Sequence, residues 1–218
     1  MDKRAMWNEM IGVIKQDVTP ATGCTEPIAL AYAAATAARE LGEPVRFVDG
    51  WVSANLMKNG MGVTVPGTGM PGLYIAAAVG ALGGDADAGL QVLKALTPDV
   101  VALGKQYVAD GKITVSVRED TPHVLYAEAV VYGENHRVRV VITDDHTNIV
   151  FIEKDGKVLR DQRVEGGSGE DPKIAFLHTL TLADIVDFAE QVPLEDIAFL
   201  KEAERLNDHL SQEGLTGK

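Results

Sequence analysis

The chain has 218 residues, 46% hydrophobic and 24% charged, a globular composition that excludes disorder throughout. Lys and Arg number 20 against 32 Asp and Glu; the net charge of −12 excludes a general binder of nucleic acid or anionic membrane. A single cysteine excludes an internal disulfide framework and fits a reducing cytosol.

The start, MDKRAMWNEM, carries no apolar core with a small-residue cleavage site, so no signal peptide is evident. Met6, Met10, Val13 and Ile14 have amphipathic spacing and predict a first helix over Met6–Lys15. A loop through Asp17, Pro20 and Gly23 leads to Pro27–Leu41, apolar all round until Arg39 and therefore a buried helix stopped by Gly42 and Pro44. Burial against other elements or against a second subunit would satisfy it, which leaves a homodimer open. Val45–Leu56 predicts a strand. The glycine-dense stretch Lys58–Gly72 follows, and then three helices: Leu73–Leu82, Ala86–Leu96 behind an Asp85 cap, and Pro98–Ala109 with Thr97 as cap. Neither Ile28–Ala38 nor Leu73–Leu82 is long enough to span a bilayer.

From Lys112 the period changes to two. Ile113–Val117, His123–Tyr132, Arg137–Thr143, Ile149–Glu153 and Lys157–Arg160 predict an antiparallel meander over about 112–160, with hairpins at Gly133–Asn135 and Lys154–Gly156. Val164–Asp171 is rich in glycine and acid and predicts a mobile loop. Helices return over Leu182–Val192 and Leu194–Leu210. Strands and helices are segregated, so the expected fold is α+β, a single domain over residues 1–218 in which Ala-rich helices pack on the meander.

Four places could carry chemistry. Cys24 lies just before a helix in Thr22–Pro27, where exposed N–H groups and the helix dipole favour a thiolate; an inert buried thiol is the alternative. Glu26 reads as a cap or a base, with the cap favoured. Gly67-Thr68-Gly69-Met70-Pro71-Gly72 spells a dinucleotide motif but lacks the following strand that such a site needs, and close helix packing explains its glycines more simply. Lys58 and Asn59, in a glycine-rich loop, could hold a carboxylate, or Lys58 could form a Schiff base. Asp144–Asn148 joins two strands and is either turn chemistry or a polar shelf with His146 as acid or base. The other histidines show no ligand spacing, so a self-contained metal site is not expected.

Three of these segments together resemble the iron–sulfur L-cysteine desulfidase family, related to the iron–sulfur L-serine dehydratases. Asp17–Ala29 is similar to the N-terminal signature of that family, and Lys58–Val63 and His146–Val150 are similar to two further blocks in the same order. The resemblance implies β-elimination without pyridoxal: a [4Fe–4S] cluster acts as Lewis acid on the leaving group, and L-cysteine gives sulfide, pyruvate and ammonia. It implies that Cys24 is catalytic, as a cluster-side metal ligand or as a proton-transfer group. It places Thr25, Lys58, Asn59, His146, Thr147 and Asn148 around a small amino-acid substrate such as cysteine or serine. One cysteine cannot hold a four-iron cluster, and the ligating cysteines of the family lie in a C-terminal half. The expectation is therefore an N-terminal part of a longer cytoplasmic lyase, without cluster or activity until a missing domain or partner chain completes it. The alternative is a non-catalytic amino-acid-binding or assembly module that has lost the chemistry.

Overall fold

The structure, a computed structural model, describes residues 2–21, 23–163 and 172–217. The predicted loop Val164–Asp171 lies outside the described residues. Where the sequence predicts one domain over residues 1–218, the chain divides into two compact units, Met1–Pro20 with Val164–Lys218, and Ala21–Arg163. Helices and a mixed six-stranded sheet make up an α+β fold.

The smaller unit is helical: α1 (Lys3–Asp17), α6 (Pro172–Leu177), α7 (Leu182–Gln191) and α8 (Leu200–Thr216). Its core gathers Trp7, Met10 and Ile11 of α1 against Phe188 and Val192. Trp7 and Phe188 meet edge to face with centroids 6.2 Å apart, a favoured aromatic geometry. Helix α7 starts in a reciprocal capping box between Thr181 and Asp184, which satisfies two of the helix's orphan donors. The predicted helix Leu194–Leu210 begins later than expected, because Pro193–Phe199 is spent in turns.

The larger unit is built on a six-stranded sheet in the order β4 (Ile113–Val117), β1 (Phe47–Val52), β5 (Tyr126–Tyr132), β6 (Arg137–Thr143), β7 (Ile149–Lys154) and β8 (Lys157–Asp161). Strands β5 to β8 form the antiparallel meander. The first strand of the alternating block stands apart from it: β4 pairs in parallel with β1 at the sheet edge, and β1 sits between β4 and β5. Asp155 and Gly156, both at positive φ (51° and 81°), turn the β7–β8 hairpin, the backbone that a tight two-residue turn needs.

On one sheet face lie the Ala-rich helices α2 (Thr25–Leu41) and α4 (Leu73–Gly83), in one core with Ala127, Ala129, Val131, Val138, Val140 and Ile142. The two helices touch backbone to backbone. A Cβ on Gly80 would stand 2.4 Å from the Ala31 carbonyl oxygen, so only glycine fits. Gly42, at φ 73°, closes α2 in the left-handed conformation, and Lys154 Nζ donates to the Glu40 and Leu41 carbonyls at 2.8 and 3.0 Å. The opposite face carries Glu128, 3% exposed, which accepts from Tyr126, Arg118 (2.7 Å) and Arg139 (2.8 Å). Burial, reinforced by that carboxylate, pushes the Tyr126 hydroxyl up to about 12.

Two elements differ from expectation. Val45–Leu56 is strand only to Val52, because Ser53 caps a short helix α3 (Ala54–Gly60), its hydroxyl accepting from the Leu56 N–H at 3.3 Å. Ala86–Leu96 forms a single 3-10 turn at Gly89–Gln91, since Asp85 bonds the Asp87 N–H in a local turn instead of starting a helix. Helix α5 (Pro98–Ala109) follows, with Thr97 as its cap.

Candidate functional site

Strand connectivity gathers several loops at one end of the sheet. Strand β1 runs out there into α3, β5 begins there, and β6 and β7 are joined there by residues 144–148. Helix α2 has its C-terminus tied to β7 at the far end by Lys154, so its N-terminus lies at this one. The glycine-rich segment closes over it as a small hairpin, β2 (Thr64–Val65) with β3 (Met70–Pro71). Gly67, Gly69 and Gly72 sit at positive φ in or after this hairpin. They do not open a dinucleotide-type βαβ unit: beyond α4 the chain enters the 3-10 turn and then α5, and no strand follows until β4. Gly23 packs so closely that a Cβ there would stand 2.8 Å from Pro66 Cγ, and Gly60 does the same against Leu73 at 2.6 Å.

Cys24 is the N-cap residue of α2, in an extended conformation, with its sulfur exposed. The sulfur does not cap the helix. Its S–H donates to Glu26 Oε2 at 2.8 Å. That bond to a carboxylate, with partial burial second, pushes the thiol above its ordinary value, while the Glu26 and Thr25 backbone N–H groups pull weakly the other way. The expected thiolate is therefore corrected: at neutral pH the proton stays on Cys24 and the charge on Glu26. The helix end does favour an anion, but the nearer carboxylate takes that place.

Glu26 stands in the first turn of α2 and not at the cap position expected of it. Its carboxylate is held below the usual range, first by the Cys24 bond and further by His146 and Asn59. Asn59 Nδ2 donates to Glu26 Oε1 at 3.4 Å. One carboxylate thus bonds Cys24 of the first block and Asn59 of the second, and His146 of the third acts on it only through its charge.

Lys58 and Asn59 lie on the last turn of α3, not in a loop. Lys58 is exposed and makes no ion pair with another described residue. Thr25, half-buried, opens α2. Thr147 and Asn148 serve the turn: Asp145 Oδ1 accepts from the Thr147 N–H and hydroxyl at 2.8 and 2.9 Å, and Asn148 Nδ2 donates to the Thr143 carbonyl at 3.1 Å. His146, half-buried, is the residue of that segment that bears on Glu26.

Spacing gave no hint of His123. Its Nδ1 lies 2.8 Å from Asp144 Oδ1, a pairing that strand register creates across 21 positions.

Among the described residues, no group of three or more His, Cys, Asp or Glu could hold a metal ion. Cys24 alone does not make a ligand set for a four-iron cluster, so these residues do not fit that group unaided. An open depression of about 430 Å³, lined by residues 132–137 with Asp155 and Gly156, lies at the opposite end of the sheet. Its wall is already satisfied by Glu43, which accepts from the Asn135 and His136 N–H groups, both at 2.8 Å.

No protein-family model matches the chain. No solved structure matches it either. It is similar to a UPF0597 protein of Chromobacterium violaceum, 53% identical over 213 residues that cover 98% of this chain and 49% of that one. It is also similar to UPF0597 protein YhaM of Escherichia coli strain K12, 48% identical over 214 residues, again 98% of this chain and 49% of the relative. The chain spans about half the length of the curated relatives it matches.

Proposed function

We propose that this chain is the substrate-side part of a lyase that eliminates sulfide from L-cysteine, or the equivalent leaving group from a similar small amino acid such as L-serine. The observation that carries the reading is the bonding of the first two resembling blocks on one carboxylate, Glu26, through Cys24 and Asn59, with His146 of the third block near enough to act on its charge. These segments lie far apart in sequence, and a merely structural origin for each of them would not require one shared target.

The chemistry of the residues suits the substrate class. An amino acid presents an ammonium and a carboxylate. Glu26, ionised and near the surface, complements the ammonium, while exposed Lys58 and the first N–H groups of α2 complement the carboxylate. Cys24, holding its proton, is a hydrogen-bond donor and a proton carrier in this arrangement. The iron–sulfur cluster in this reading belongs to polypeptide beyond the present residues, in keeping with relatives of about twice the length.

The test is a protein of the relatives' full length, prepared anaerobically and supplied with L-cysteine. Sulfide and pyruvate in equal amounts are expected, with neither from the 218-residue chain alone. Saturable cysteine binding without product would replace this reading with that of a non-catalytic amino-acid-binding module.

A further inference from the structure

The helical unit leaves open more apolar surface than its own core uses. Helix α7 has two apolar rows. Phe188 and Val192 go into the core with α1. Leu182, Ile185, Val186 and Ala189 follow one another at i, i+3, i+4 and i+7, the spacing of a buried helix face. All four are nevertheless exposed, the first three by 77%, 48% and 46%.

Helix α8 repeats the pattern. Phe199, Ala203, Leu206 and Leu210 are spaced by 4, 3 and 4 residues, the seam of helix-on-helix packing. Phe199 lies against the core of the unit. Beyond it Leu206 and Leu210 are 38% and 71% exposed, and α8 buries none of its 17 residues. A helix of that length draws most of its stability from packing an apolar face, and the partner of this one is not among the described residues. Single apolar side chains at a surface are ordinary, whereas rows of them at helical spacing mark an interface.

Two observations identify the occupant. The curated relatives match 98% of this chain with 49% of their own length, so they carry about as much polypeptide again. The charges on both helices are mostly acidic: α7 has three acidic residues and no Lys or Arg, and α8 four acidic against two basic. A second copy of the chain, or an anionic lipid surface, would bring like charges together. A segment with Lys and Arg beside its own apolar row would not. We infer that α7 and α8 are the docking face for amphipathic helices, basic at their margins, from the half of the relatives' polypeptide that these residues do not include. Nothing in this depends on the elimination chemistry: those helices would complete the helical unit whatever the reaction.

Amide hydrogen exchange tests the docking, with the 218-residue chain set against a protein of the relatives' full length. In the longer protein the amides of Leu200–Thr216 are expected to exchange roughly 10²-fold more slowly, the return on burying two leucine side chains, while those of β5 and β6 are equally slow in both. The slowing should not vary with protein concentration. Equal exchange of α8 in the two proteins overturns the inference. Slowing that disappears on dilution overturns it too, since the face then belongs to a second copy. Leu206→Gln with Leu210→Gln keeps helix propensity and is expected to cancel the slowing in the longer protein, leaving the denaturant midpoint of the 218-residue chain unchanged. A midpoint lowered equally in both proteins means that the two leucines pack inside their own unit, and the docking face falls. Exchange needs no substrate, so a protein that shows the slowing but yields no product from L-cysteine keeps this inference and loses the reading of the reaction.

Discussion

At Cys24 two short-range influences oppose each other. The backbone N–H groups that open α2 favour a thiolate, and the Glu26 carboxylate 2.8 Å away favours a thiol and prevails. Removing the carboxylate reverses the balance, so Glu26→Ala is expected to speed alkylation of Cys24 at pH 7 several-fold, read by iodoacetamide or disulfide-exchange kinetics. An unchanged rate would mean that the bond does not govern the sulfur. The sign for stability also follows. Glu26 is depressed in the folded state, so its contribution is present above the ordinary carboxylate range and is lost as pH falls through the depressed value. Cys24 is raised, so its contribution is present below the ordinary thiol value and is lost as pH rises through the raised one. Both groups are close to solvent, which keeps the effect below about 1 kcal/mol. The place of the sulfur before a helix was legible in the sequence. Its protonation was not, because an extended cap residue brings the side chain two positions on within reach, and only the folded geometry shows which way Glu26 turns. His123 was illegible for a different reason, since register alone brings it to Asp144.

Between elements, the decisive contact is Gly80 on Ala31. Gly80→Ala would set a methyl group 2.4 Å from a carbonyl oxygen held in a second helix. Neither backbone can yield without disturbing the sheet beneath, so a loss of about 3 kcal/mol is expected, the upper part of the usual range for overpacking. A drop in the denaturant midpoint at constant m-value checks it. The Ala-rich pattern had announced two buried helices, and the period-two block had announced the meander. Which neighbour each strand takes was not readable there: Ile113–Val117 alternates as well as its successors do, yet it lies beside β1 because three helices intervene between the two strands and return the chain in the same direction. The end of β1 turned on Ser53, a cap residue inside an otherwise strand-like run.

For the molecule as a whole, each compact unit contains one tryptophan, Trp7 in the helical unit and Trp51 in β1. Single-tryptophan variants therefore report the two cores separately. Phe188→Ala opens a cavity against Trp7 and is expected to cost the helical unit about 3 kcal/mol. The midpoint followed by Trp7 should fall further than that followed by Trp51, and equal shifts would show one cooperative unit. The boundary at Pro20 and Val164 was not evident from composition, because the helical unit is assembled from the two ends of the chain and only contact between them reveals it.

The bare contact of α2 with α4 has a kinetic meaning too. Where Gly80 meets Ala31 no side chain separates the two backbones, so a shift of register there would drive a side chain into the facing helix, and the N-terminus of α2 becomes a stationary reference point. Whatever rearrangement admits a small molecule to Cys24 and Glu26 must then come from the strand connections around residues 58–71 and 144–148, so ligand-induced relaxation dispersion should be concentrated in those connections and absent from the helix that carries the sulfur.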